Sequence, residues 1–234
     1  MTNIQPLYNK SYKCPLCCQT FSTKKMRSRF IKVSHYDTDF CPTYFSDELN
    51  PIFYFINICP SCGYSFSNAF LDFFPPNTKN TLYDQVCRHW VTQDFGGIRK
   101  IEDAIKTLKL AAYCANLKKE KHITVAGLYI RLAWMYRSMG LQKEELRFMN
   151  IALTEYLESY LIEDYQGTQV SELKVLYLIG ELSRRTKRTE QSIRYFSKII
   201  EQQNQSNEPR IIEMAKDRWH DIRDEQNIQR HQAL

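Results

Sequence analysis

Two short stretches decide the fold: Cys14-Pro15-Leu16-Cys17 and Cys59-Pro60-Ser61-Cys62-Gly63. In each, two residues between cysteines let the chain turn tightly and aim both sulfurs at one ion, with turn amides free to donate to the thiolates. Pro stiffens such a turn, and Gly63 can take a positive φ. Two such knuckles joined across residues 18–58 predict one tetrahedral four-thiolate site, with Cys14, Cys17, Cys59 and Cys62 as ligands of a single structural zinc ion. The residue types favour zinc over disulfides, because nothing from Met1 to Lys10 resembles a signal-peptide core and a reducing cytoplasm is the expected setting. A redox dithiol would expect one such motif beside a βαβ pattern, which the sequence lacks. A catalytic zinc would keep an open position, and neither His-Glu-x-x-His nor a deaminase-type His-x-Glu is present. Of the other four cysteines, Cys18 and Cys41 are alternative ligands, while Cys87 and Cys114 fall in helical patterns and read as small apolar residues.

Outward from the knuckles, residues 29–36 and Ile52-Phe53-Tyr54-Phe55-Ile56-Asn57-Ile58 read as strands, with a turn at Asp47-Glu48-Leu49-Asn50-Pro51. Phe74-Pro75-Pro76-Asn77 breaks the pattern. From Thr81 the periodicity is helical: Ile101 to Ala115, Val125 to Tyr136 with Gly140 as C-cap, Leu141 to Leu161, Leu173 to Ser183, Ile193 to Ile200, and a last helix opened by Pro209. The expected organisation is α+β, mostly α: a zinc-ribbon-like β module over residues 1–78, a tetratricopeptide-like helical domain over 79–226 and a polar tail over 227–234. Two helix pairs carry the repeat pattern. Leu132, Ala133, Tyr136, Gly140, Met149 and Ala152 form the first, although Glu145 stands at a small-residue position; Gly180, Ser183, Ser192, Phe196 and Ile199 form the second, with Lys187 in place of the turn Gly.

Composition narrows the function classes. The chain has 234 residues, 43% hydrophobic and 25% charged, enough for a folded core, and its longest apolar run is far too short for a membrane helix. A net charge of +6 does not by itself imply nucleic acid. Lys24, Lys25, Arg27, Arg29 and Lys32 form an acid-free run that either holds a phosphate or offsets the charge of a zinc-thiolate centre. Asp37 and Asp39 alternate, so in extended chain both carboxylates point one way; they pair with Arg27 or Arg29 and either order the loop or, with Tyr44 nearby, grip a polar ligand. Arg27, Arg29, Asp37, Asp39 and Tyr44 are therefore the candidate ligand-binding residues. Tyr129, Arg131, Trp134 and Arg137 either line a groove of the helical half or belong to its core. No nucleophile, base and orienting group occur as a set, so no enzyme is expected.

Taken in order, Cys14-Pro-Leu-Cys17, Lys24-Lys25-Met26-Arg27-Ser28-Arg29, Asp37-Thr38-Asp39-Phe40-Cys41, Tyr44, Asn50-Pro51, Tyr54, Cys59-Pro-Ser-Cys62-Gly63-Tyr64 and Ala126-Gly127-Leu128-Tyr129-Ile130-Arg131-Leu132-Ala133-Trp134 resemble the bacterial DUF-2225 family. That resemblance implies a cysteine-knuckle region followed by tetratricopeptide-like helices and brings no reaction with it. Cys18 stands where the resemblance expects Gly. The expected function is a non-catalytic zinc-binding interaction or regulatory protein whose partner is a protein, a peptide or a small polar ligand. The alternative is a nucleic-acid-binding zinc ribbon that uses the basic run on phosphates and Phe30, Tyr36 or Tyr44 for stacking.

Overall fold

The computed structural model describes residues 4–204 and 206–232. The chain is α+β and mostly α, with three two-stranded antiparallel sheets ahead of seven α-helices among the described residues. Strands β1 (Leu7–Lys13) and β2 (Thr20–Met26) pair from Leu7 opposite Met26 to Lys13 opposite Thr20, so the first knuckle is the turn of a hairpin. Tyr12 stacks on Phe21 across it at 6.1 Å. Strands β3 (Val33–Tyr36) and β4 (Pro42–Tyr44) form a second hairpin with an irregularity between Val33 and His35. Strands β5 (Asn57–Ile58) and β6 (Ser65–Phe66) flank the second knuckle.

Two strand expectations are corrected by these positions. Residues 28–30 are a 3-10 turn, so the strand expected over 29–36 begins only at Val33. Pro51–Tyr54 is also a 3-10 turn, opened by Asn50, whose Oδ1 accepts from the Ile52 amide at 2.9 Å. The buried Arg99 guanidinium then donates to the carbonyls of Phe53 (3.0 Å) and Ile56 (2.8 Å), acceptors that a neighbouring strand would otherwise satisfy. The β-rich composition of 52–58 is thus spent on burial, and only Asn57–Ile58 pairs as strand.

Helix α1 (Thr78–Gln85) precedes the expected helices, and α2 (Ile101–Lys118), α3 (His122–Ser138), α4 (Gln142–Ile162), α5 (Glu172–Arg185), α6 (Thr189–Glu201) and α7 (Pro209–Gln232) follow the helical periodicity closely. α3 packs along α4 and α5 along α6 as two antiparallel hairpins. The tail expected over 227–234 continues α7 as far as Gln232, and residues 233–234 lie outside the described residues. Apolar burial runs without a break from Phe21, Ile58 and Tyr64 through Leu108 and Leu132 to Leu176 and Phe196. α2 joins the two halves: its buried Cys114 accepts from the Ser65 amide of β6 at 3.4 Å. At the C-terminal end of α2, Lys118 and Glu120 form a buried ion pair at 2.6 Å that also binds the Leu71 backbone, Lys118 donating to its carbonyl and Glu120 accepting from its amide. No helix among the described residues is long and apolar enough to cross a membrane.

Candidate functional site

The two knuckles meet. Sγ atoms of Cys14, Cys17, Cys59 and Cys62 all lie within 4.8 Å of one another, with Cys14 to Cys62 at 3.7 Å and Cys17 to Cys59 at 3.6 Å. The four thiols can hold a metal ion. Both turns close in the same way: the Cys18 amide donates to the Cys14 carbonyl and the Gly63 amide to the Cys59 carbonyl, each at 2.9 Å. The residue after each second cysteine is left-handed, Cys18 at φ 64° and Gly63 at φ 75°. Cys18 therefore copies the Gly conformation and points to solvent rather than joining the cluster. At the second knuckle the Trp90 indole lies against Gly63 and donates to the Pro60 carbonyl at 2.8 Å. A Cβ on Gly63 would stand 2.5 Å from that ring.

The cluster favours anionic sulfur at one corner. The hydrogen bond shared with Cys62, helped by the Cys17 and Leu16 amides, holds the Cys14 thiol below its ordinary value despite its burial. Cys62 is pushed up by the same hydrogen bond and by burial, and Cys59 by burial. Cys41 lies outside the cluster; burial and the nearby Asp39 raise its thiol to about 12. Cys114 is likewise raised to about 12 by burial.

Asp37 and Asp39 do face a common set of cations, but not the expected ones. Arg137 of α3 grips both oxygens of the fully buried Asp39, Nη2 to Oδ2 at 2.6 Å and Nη1 to Oδ1 at 3.0 Å, and also reaches Asp37 at 2.8 Å. The Trp134 indole adds a bond to Asp39 Oδ2 at 3.1 Å. Arg185 of α5 donates to Asp37 at 2.6 Å and to Thr38 Oγ1 at 2.7 Å, while Thr38 donates to the buried Glu181 at 2.5 Å. Tyr177 donates to the Thr38 carbonyl at 2.9 Å, and Phe40, at φ 63°, packs on the Tyr177 ring. Residues 37–40 are thus a peg seated between α3 and α5. Burial pushes the Asp37 carboxyl up, but the Thr38 amide, Arg185 and Arg137 outweigh it and leave it below its usual value.

Arg27 and Arg29 lie elsewhere, over the rings of Tyr8 and Phe30, each at 4.8 Å. Tyr44 is half-buried, its hydroxyl pushed to about 12 by burial and Tyr36. The basic run starts toward the far end of β2 from the first knuckle, four strand residues or about 14 Å from Thr20 to Lys24. At that separation a centre at the knuckle would feel only screened attraction, because the Debye length is about 8 Å at physiological salt. Arg137 was legible only as a groove or core residue of the helical half, and Glu181 and Arg185 were hidden in sequence because acids and bases in helical turns ordinarily read as solvated charge or dipole complement.

Comparison with curated proteins and with solved structures finds no match. A family model does match, over residues 7–222, which takes in both knuckles, the peg and all the helices through most of α7. The chain belongs to the bacterial family described as "Uncharacterized protein conserved in bacteria (DUF2225)".

Proposed function

We propose that the protein is a non-catalytic zinc-binding interaction module: one structural zinc ion staples the N-terminal hairpins, and a repeat-like helical part presents the surface for a protein, peptide or small polar ligand. The observation that carries this reading is the four-sulfur cluster. A tetrahedron with zinc–sulfur bonds of about 2.3 Å has edges of about 3.8 Å, and the Cys14–Cys62 and Cys17–Cys59 sulfur pairs stand at 3.7 and 3.6 Å. Four protein thiolates fill such a coordination shell, which suits a structural ion rather than one that activates water. The thiol-rich site fits a reducing compartment such as the cytoplasm. Repeat-like architecture is supported by the matching turns after α3 and α5, where Gly140 (φ 69°) and Lys187 (φ 62°) occupy equivalent left-handed positions.

Metal analysis of freshly purified protein, with thiol counting, tests the proposal. We expect one zinc per chain and its loss in Cys59→Ser, together with new protease sensitivity before residue 78; a Cys59→Ser chain that stays zinc-loaded and resistant would overturn it. Nucleic-acid binding is the second reading. Its support is the exposed patch of Arg27, Arg29 and Lys32 with the exposed rings of Tyr36 and Phe45. Gel-shift titration across salt separates the two, since phosphate contacts weaken steeply as ionic strength rises.

A further inference from the structure

A cleft of about 860 Å³ lies between the β1–β2 hairpin, the peg and helices α3 and α5, within the size range of small-molecule sites. Five cationic side chains line it: Lys10 and Lys25 from the hairpin, Lys121 and Arg131 from the start and middle of α3, and Lys174 from α5. The single carboxylate in its wall, Asp39, is already bound at both oxygens by Arg137. Among the described residues none of the five cations is ion-paired.

Their protein partners are neutral. Lys25 donates to the Tyr54 carbonyl at 2.5 Å, Lys121 to the Gln166 carbonyl at 3.0 Å and Arg131 to the Gly127 carbonyl at 2.5 Å. The Arg131 guanidinium also lies on the Phe55 ring at 4.1 Å, Lys10 over Tyr12 at 5.0 Å and Lys174 over Phe40 at 5.0 Å. Lys10 is exposed and the other four are part-buried, and gathering like charges around one cleft is unfavourable unless negative charge meets them. Burial chiefly, with Arg99 behind it and Lys10 beside it, lowers the Lys25 ammonium to about 7.

We infer that the cleft binds a phosphorylated small molecule carrying two or more negative charges. Cations on three different walls suit an anion with several charged oxygens; a monocarboxylate would meet one wall only. A phosphate ester supplies close to two charges and the acceptor geometry that a guanidinium fork matches. This inference rests on the reading of the protein as a binding module and names the ligand class of its cleft.

Calorimetric titration of the full, metal-loaded chain with inorganic pyrophosphate at about 0.15 M salt tests it. The expected result is saturable one-site binding with metal content unchanged, weakened about tenfold or more in both Lys25→Met and Arg131→Lys, and unaltered in Lys143→Met, an exposed lysine of α4 away from the cleft. Arg131→Lys keeps the charge, so its loss of affinity reports the fork even where removal of the arginine would disturb folding. Absence of saturable binding overturns the inference, as does equal weakening by Lys143→Met. Citrate binding as tightly as pyrophosphate removes the phosphate assignment. Displacement of pyrophosphate by single-stranded DNA, lost in the same variants, transfers the cleft to a polynucleotide and also overturns it. A chain that captures a protein partner yet ignores pyrophosphate keeps the module reading and refutes this one. Phosphorus NMR showing orthophosphate formed at the cleft would refute the non-catalytic reading while the site stands.

Discussion

Asp39 is a fully buried carboxylate whose two oxygens meet Arg137, Trp134 and the Cys41 amide. Removing one partner of such a pair strands the other in a poorly solvated place, at a cost of roughly 3–5 kcal/mol. Asp39→Ala is therefore expected to lower the urea-unfolding free energy by about that amount, and Asp39→Ala combined with Arg137→Met to recover part of it. If the single change costs no more than a surface substitution, the peg is not held as described. Lys25 gives a pH prediction. Its folded value of about 7 lies below the ordinary unfolded value of about 10.4. Between those values the unfolded chain binds more protons, so this residue's destabilisation is full below pH 7 and fades as pH rises toward 10. Unfolding free energies of wild type and Lys25→Met, measured from pH 7 to 9.5, should differ by an amount that changes steadily in the direction of wild-type stabilisation; parallel curves would contradict it. At this scale the sequence showed that Asp37 and Asp39 act together, through their alternation. It did not show with whom, because Arg27 and Arg29 stand close in the chain while Arg137 and Arg185 become neighbours only after two helices have packed.

The elements were unequally legible. Helices α2 to α7 were, because their apolar spacing persists over many residues and Gly140 and Pro209 punctuate it. β1 and β2 were not, since Tyr8-Asn9-Lys10-Ser11-Tyr12-Lys13 is polar on its open face and its pairing depends on the knuckle turn. The 52–58 run misled in the opposite sense, its strand-like residues being buried around a turn whose carbonyls Arg99 satisfies. The two helical hairpins suggest a direct comparison. After α3 the left-handed position is Gly140; after α5 it is the exposed Lys187, where the Arg188 amide donates to the Ser183 carbonyl at 2.8 Å and the turn has the same form. A side chain in that conformation costs about 1 kcal/mol relative to glycine. Lys187→Gly is expected to raise the melting temperature by about 2–4 °C. A fall instead would mean that the lysine side chain contributes something the turn geometry does not reveal.

Across the whole molecule the thiol cluster, the peg and the helices form one chain of support, which is why metal removal should travel. Chelation at neutral pH is expected to open the β1–β2 and β5–β6 hairpins, since binding energy at such a site is also folding energy. Amide exchange in residues 7–26 and 57–66 is then expected to quicken by orders of magnitude, with a smaller effect in α6 and α7. Uniform exchange throughout, with and without chelator, would show that the cluster holds nothing. The expected knuckle residues do converge in space; Lys25 and Arg131 stood out in sequence, as part of the basic run and as a groove candidate, but their meeting with Lys10, Lys121 and Lys174 did not, because β1, β2, α3 and α5 come together only in the fold.

The peg has a consequence during synthesis. Asp37 is separated from Arg185 by 148 residues, and at 5–20 residues per second a ribosome needs roughly 7 to 30 s to cover that distance. For most of that interval both knuckles have been made, while α5, which completes the clamp on the peg, does not yet exist. A nascent chain paused before α5 would have both knuckles made and Asp39 already within reach of Arg137 from α3, yet Asp37 and Thr38 would still lack Arg185 and Glu181, so the final locking of the peg falls to α5.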